Sequence, residues 1–320
     1  MWRWMATRLL VSIPVLFGIT FLMFVLLRST PGDPAEYLLN PSIMRGATPE
    51  FIAARRAEFG LDQPPPIQYV LWLGEVARGN LGYSYANGRP VGEIILERVG
   101  PTARLMGLAL LVAVLIGIPI GVVAALKQYS LWDYVIAVLS LGAVSTPLFF
   151  LGLAAIYLFS LRLNLLPIGG MVPATHASTV LDEVAHLILP ASVLALNVAG
   201  PIIRYTRTSV LEVIHQEFVL TARAKGLSER RVVFVHVLRN ALLPVISVIG
   251  VLIPVLFGGS VVVEQIFSWP GMGQLVLLAV NQRNYPVLMG ITLVVAVLVV
   301  AASVLTDLAY AIADPRIRLK

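Results

Sequence analysis

The 320-residue chain contains no cysteine. That removes disulfide staples, thiol nucleophiles and Cys-ligated zinc, and leaves the compartment open. Charge is also scarce. Only 12% of the residues are Asp, Glu, Lys or Arg, against about 25% in an ordinary soluble domain. Histidine occurs four times, at His176, His186, His215 and His236, and none belongs to an H-E-x-x-H motif. No G-x-x-x-x-G-K-[ST] loop is present, so the chain lacks the usual cradle for nucleotide phosphates. Gly169-Gly170 and Gly258-Gly259 fall at membrane boundaries, where close helix approach is the plainer role. No residue is assigned a catalytic or metal-binding role.

What the chain does have is apolar surface: 58% hydrophobic residues and a mean hydropathy of +0.88. Lipid is the solvent for most of such a chain, and counting one domain per ~150 residues does not apply. The net charge of +6 fits the positive-inside bias of membrane proteins better than a nucleic-acid partner.

The first apolar run, Leu9 to Leu27, holds 19 uncharged residues. As a helix it spans about 28 Å, close to a bilayer core of ~30 Å. It is too long for a signal-peptide core, and Arg28-Ser29-Thr30-Pro31-Gly32-Asp33-Pro34 follows it in place of a small-residue cleavage site. An uncleaved spanning helix is expected. Trp2 and Trp4 before it suit the headgroup layer.

Five more spans are expected at Ala103–Leu126, Tyr134–Ser160, Leu187–Ile203, Leu243–Val263 and Val287–Leu305. The fold class is therefore all-α: a polytopic membrane protein with six transmembrane helices. Its parts are an N-terminal helix at 1–28, an extracytoplasmic domain at 29–100 and a transmembrane domain at 101–320. In the second part, Pro49–Phe59 and Ile67–Ala77 have helical spacing of apolar residues. Prolines interrupt at least five spans, so the kinks must face protein or trapped water.

Orientation follows from Lys and Arg. With both termini inside, the inner segments carry 13 of the 23 basic residues, and the two shorter outer loops carry only Arg162 and Arg283. Both termini are expected in the cytoplasm.

Polar groups at membrane depth are few. Asn197 suits either an interhelical hydrogen bond or a place along a pathway. Glu264 closes the fifth span and is a second candidate for lining an entrance.

The most basic stretch, Glu217 to Pro244, lies between two apolar runs. Gly226 suits a left-handed helix end, Ser228 a cap for the next helix, and Glu229 its first turn. Helix, tight turn, helix is the local reading. Three roles fit: a solvated positive-inside loop, a DNA-reading helix-turn-helix, or a docking element for a cytoplasmic protein. The bilayer on both sides argues against DNA. The apolar Phe218, Val219, Ala222 and Leu227 among the charges favour docking, because an exposed apolar stripe wants a groove.

TARAKGLSERR, followed by HVLRNALLP, resembles the coupling segment of inner-membrane permease subunits of ATP-binding-cassette importers of the dipeptide/oligopeptide/nickel type. The likeness covers the chain. RLLVSIPVLFGITFLMFVLLRSTPGDPA, LDQPPPIQYVLWL, GNLGYSYANGRPVGEII, VVEQIFSWPGMGQL and DPRIRL are similar to that family's segments in the same order. The general importer motif has Glu-Ala-Ala, three residues, then Gly. Here Leu220 and Thr221 stand at its first two positions, while Ala222 and Gly226 match. Its Leu-Pro falls on Leu238-Arg239, with a Leu-Pro later at Leu243-Pro244.

The resemblance implies a bacterial or archaeal cell-membrane importer. This chain and a second, homologous permease subunit would form the pathway as a heterodimer in lipid. Two cytoplasmic ATP-binding subunits would supply ATP and Mg, leaving this chain without a cofactor and without enzymatic activity of its own. They would grip Glu217, Phe218, Thr221, Ala222, Arg223, Lys225, Gly226 and Leu227. An extracytoplasmic binding protein would deliver di- or oligopeptides. Nickel, glutathione or oligosaccharide cargo is the alternative within the family, and an ATP-independent channel or secondary transporter the alternative outside it.

Overall fold

Long apolar runs dictate helices, because only a helix satisfies its own backbone groups in lipid. The computed structural model describes residues 2–30, 48, 50, 54, 57, 62–172 and 179–313. Among them the one β pairing is an isolated bridge between Tyr83 and Pro90. The segment Pro31–Pro34, most of the expected helix Pro49–Phe59, His176, the tail from Asp314 and the side chains of Trp2 and Trp4 lie outside the described residues.

Among the described residues the helices are α1 (Trp2–Ser29), α2 (Pro65–Ala77), α3 (Val91–Leu126), α4 (Leu131–Ser145), α5 (Leu148–Ala155), α6 (Val180–Ile214), α7 (Glu217–Ala224), α8 (Glu229–Arg231), α9 (Leu238–Ile266), α10 (Met272–Asn281) and α11 (Tyr285–Ala313). Two π-helical turns intervene, Ile156–Arg162 after α5 and Val232–Val237 between α8 and α9. Among the described residues, five helical stretches are long and apolar enough to cross a membrane, and α4 with α5 makes a sixth if that bent pair is one span.

The bend between α4 and α5 is 102°. Pro147 causes it: the residue before a proline is pushed out of the helical region, and Thr146 sits extended at φ −79°, ψ 127°. Other prolines behave differently from expectation. Pro190 and Pro201 lie inside α6 without interrupting it, as do Pro244 and Pro254 in α9. The segment Glu264–Pro286, expected as a loop, contains α10. The expected second span starts earlier, at Val91.

The chain divides into two compact units, residues 2–101 with 274–300 and residues 102–273 with 301–320. In the first, Tyr69 of α2 packs on α1. Its hydroxyl lies 3.0 Å from Thr20 Oγ1 and donates to the Phe17 carbonyl at 3.1 Å, and its ring meets Phe21 edge-on. The loop before α3 is pinned by Asn284, which accepts from the Tyr85 N–H at 3.1 Å and donates to Ser84 Oγ at 2.8 Å. Burial pushes the Tyr85 phenol up to about 12.

The second unit is built around α6. Leu194, Val198 and Ile202 pack with Leu105, Val245, Leu256, Phe267 and Trp269 in one apolar core. Small residues set the closeness of approach, as in membrane bundles. A Cβ on Gly200 would meet Val144 Cγ2 at 2.6 Å and the Ser140 carbonyl at 2.8 Å, so α6 lies directly on α4 there.

Candidate functional site: the basic hairpin

The hairpin begins where α6 ends. Its first arm, α7, stops in a Schellman arrangement. The Gly226 N–H donates to the Arg223 carbonyl at 2.9 Å and the Leu227 N–H to the Ala222 carbonyl at 3.4 Å. Gly226 takes the left-handed conformation expected of it, at φ 77°. A Cβ would meet nothing within 4 Å, so the requirement for glycine is one of backbone conformation.

The second arm departs from expectation in two ways. Ser228 stands at the N-cap in extended conformation but makes no side-chain cap hydrogen bond. Glu229 instead accepts from Arg223, whose Nη2 lies at 2.6 Å and Nε at 3.2 Å. The carboxylate raises the Arg223 pKa above its ordinary value. Second, α8 is a single turn that runs through the π-turn straight into α9, so the second arm is the beginning of a span.

Burial divides the candidate residues. Glu217, Phe218, Thr221, Arg223, Lys225 and Gly226 are exposed and Leu227 is half-buried. Val219 and Ala222 turn inward. They are 0% and 5% exposed, packed with Val122 and Ala125 of α3, Val210 and Val213 of α6, and Val232, Val233 and Val237 of the π-turn. This corrects the expectation that Ala222 belongs to a displayed stripe. The hairpin's own apolar face covers it, and Phe218 and Leu220 carry the exposed apolar surface of α7. The Thr221 hydroxyl donates back to the Glu217 carbonyl at 2.9 Å.

Of the two polar pathway candidates, Asn197 is half-buried on α6. Glu264 is placed otherwise than expected. It is fully buried, its Oε1 accepts from Thr102 Oγ1 at 2.7 Å, and Thr102 in turn accepts the Met272 N–H at 2.7 Å. The Trp269 N–H donates to the Glu264 carbonyl at 2.8 Å. Glu264 thus anchors the turn between α9 and α10 and does not line an opening in this structure.

One pair escaped the reading of the sequence. Asp133, in the first turn of α4, is held by Arg207 of α6, with Nε to Oδ1 at 2.7 Å and Nη2 to Oδ2 at 2.8 Å. The signal was present in part: Ser130 caps α4 and Asp133 stands three residues on. Nothing local pointed to a partner 74 residues away.

An all-helical bundle of long apolar spans, with a basic hairpin between two of them, defines a polytopic membrane protein. The chain belongs to the family of binding-protein-dependent transport system inner membrane components, whose model matches residues 117–319. A companion model for the N-terminal part of such membrane components matches residues 1–106. Over the full length of both chains it is 46% identical to a putative peptide permease protein of Brucella suis. It is 44% identical to the oligopeptide transport system permease protein AppB of Bacillus subtilis, over 97% of each chain. It is 39% identical to the dipeptide transport system permease protein DppB of Escherichia coli K12, over the full length of both. Among solved structures, the inward-facing MetNI methionine ABC transporter matches with a TM-score of 0.57 at 18% identity, over 69% of this chain and 96% of that one. At that identity the likeness speaks for the fold.

Proposed function

We propose that this chain is one of two permease subunits of an ATP-driven importer of di- or oligopeptides. Each subunit would form half of the pathway. The names of the full-length relatives support the peptide cargo. The basic residues of the short segments support cytoplasmic termini and a cytoplasmic hairpin. Residues 29–100 then lie outside as a platform for a binding protein, with the exposed Tyr83 on its accessible side.

The observation that carries the coupling role is the two-sided burial of α7. One face, Val219 and Ala222, is locked into the chain's own core, while Phe218, Thr221 and Lys225 face outward. A helix fixed from behind and bare in front transmits a push. The ATPases would bind that bare face, ATP-driven closure would draw the two hairpins together, and the spans would swing between two discrete packings. Asn197 on α6 is the residue proposed to face the pathway.

The test is to purify the chain with its second permease subunit, ATPases and binding protein. ATP-dependent peptide uptake into vesicles is expected. Phe218→Asp should reduce ATPase association at least about tenfold, because a charge placed in an apolar groove costs over ~1.4 kcal/mol. Unchanged association and uptake would remove the assignment of α7 as the coupling element.

A further inference from the structure

Arg207 and Asp133 are joined side-on through two hydrogen bonds, at 2.7 and 2.8 Å. The Asp133 side chain is 6% exposed and that of Arg207 29%. The carboxylate is covered while the guanidinium keeps some access to water, so the two-point geometry holds chiefly because parting the pair would leave the Asp133 charge without its partner. The same carboxylate accepts the Tyr129 N–H at 3.0 Å. Tyr129 sits at φ 61°, a left-handed conformation that bulky residues adopt only when their surroundings impose it. Asp133 therefore fixes both the turn before α4 and the attachment of α4 to α6.

Two further contacts lie along the same line. Gly200, about two turns from Arg207, brings α6 against Ser140 and Val144 of α4. In the other direction, Val210 and Val213 follow Arg207 on α6 and hold Val219 and Ala222 of α7. Ser209 Oγ donates to the Ala241 carbonyl at 2.8 Å, tying α6 to α9 at the same level. α7, the lower part of α6 and α4 are thus joined in series, by buried contacts at the α7 end and by close but partly exposed ones along α4. The series ends at the 102° bend after α4.

We infer that Asp133 and Arg207 are positioning residues that form a permanent joint, through which a displacement of α7 is delivered to α4 and so to the bend at Pro147. The inference rests on α7 being the docking helix of an ATP-driven importer. It goes beyond that reading in naming which span moves with α7 and which pair of residues makes it do so. The joint stays closed throughout the transport cycle, and the flexing occurs beyond it.

The absence of cysteine from the chain makes this directly testable in the assembled importer with cysteine-free partner subunits. Asp133→Cys with Arg207→Cys should keep ATP hydrolysis but lower peptide uptake at least about tenfold. Bridging the two thiols with a short reducible bis-methanethiosulfonate should restore uptake, and reductant should abolish it again. Uptake that is blocked or left unrestored by the bridge would overturn the joint, since the two helices would then have to part. Should the double variant fail to assemble, the native pair is kept and spin labels are placed at the exposed Tyr134 and Tyr205. Their separation should be the same in nucleotide-free and ATP-trapped states. A change greater than about 2 Å, the scale of a helix shift, would overturn the inference. Failure of the importer reading itself is distinct: the unaltered complex would show no ATP-dependent uptake, or Phe218→Asp would leave coupling intact.

Discussion

Arg223 and Glu229 close the hairpin side-on, across the left-handed turn at Gly226, with hydrogen bonds of 3.2 and 2.6 Å. The pair replaces the cap that Ser228 does not provide. Both side chains are partly exposed, at 37% and 59%, so the pair contributes at most about 1 kcal/mol to stability. Its role is directional. Arg223→Ala should loosen ATPase association without lowering the melting temperature measurably. Arg223→Glu combined with Glu229→Arg should restore association, measured by co-purification. If Arg223 touched the ATPase itself, the exchange would fail to rescue.

The turn depends on glycine more than on this pair. Gly226→Val forces a β-branched side chain into the left-handed region, at a cost of about 1–2 kcal/mol. The protein should still insert, and ATP hydrolysis should continue without uptake. Gly226→Asn, which tolerates this conformation, should retain most of the coupling. Hydrolysis and uptake measured on the same preparation check the ratio.

Ala222 and Phe218 should separate folding from docking. Ala222→Asp buries an unpaired carboxylate among valines, so a loss of several kcal/mol and of monodisperse protein is expected. Phe218→Asp alters an exposed position and should leave elution and melting unchanged while ATPase binding fails. Size-exclusion profiles of the two variants distinguish these outcomes.

Glu264 should behave as an anchor. Thr102→Val removes its hydroxyl partner and the acceptor of the Met272 N–H, and should destabilise by about 1–3 kcal/mol. Cargo preference should not change, which competition between peptides during uptake would check.

Topology has its own test. A cysteine at Ser228 should be labelled by an impermeant maleimide only from the cytoplasmic side, and one at Asn87 only from outside. Labelling of both from one side would refute the six-span arrangement.

The helical class was legible because lipid leaves the backbone few options, and runs such as Leu9–Leu27 state their length openly. The Gly226 turn was legible because glycine is the residue that a left-handed helix end favours. Other features depend on partners distant in sequence. Ala222 looks like part of a displayed stripe until Val210 and Val237 are placed behind it. Glu264 looks like a gate residue until Thr102 closes over it. Pro147 and Pro201 carry the same local warning, yet one bends its span by 102° and the other lies inside an unbroken helix. The visible difference is the residue before each: Thr146 is extended, whereas Gly200 is helical.

The π-turn at Val232–Val237 sets the azimuth of the hairpin. Val233, Val237, Ala241 and Val245 are all buried and recur every four residues. In a regular helix each such step overshoots one turn by about 40°. A wider turn takes up part of that drift, so that Val233, Val237 and Ala241 stay in the hairpin cluster and Val245 still reaches the core around α6. Such a turn amounts to one residue inserted into an α-helix. Removing a single residue from it would restore the regular pitch and swing the hairpin around the axis of α9 by about 100°. The direction in which this subunit presents α7 is thus written in the length of a six-residue segment as much as in the identity of its side chains.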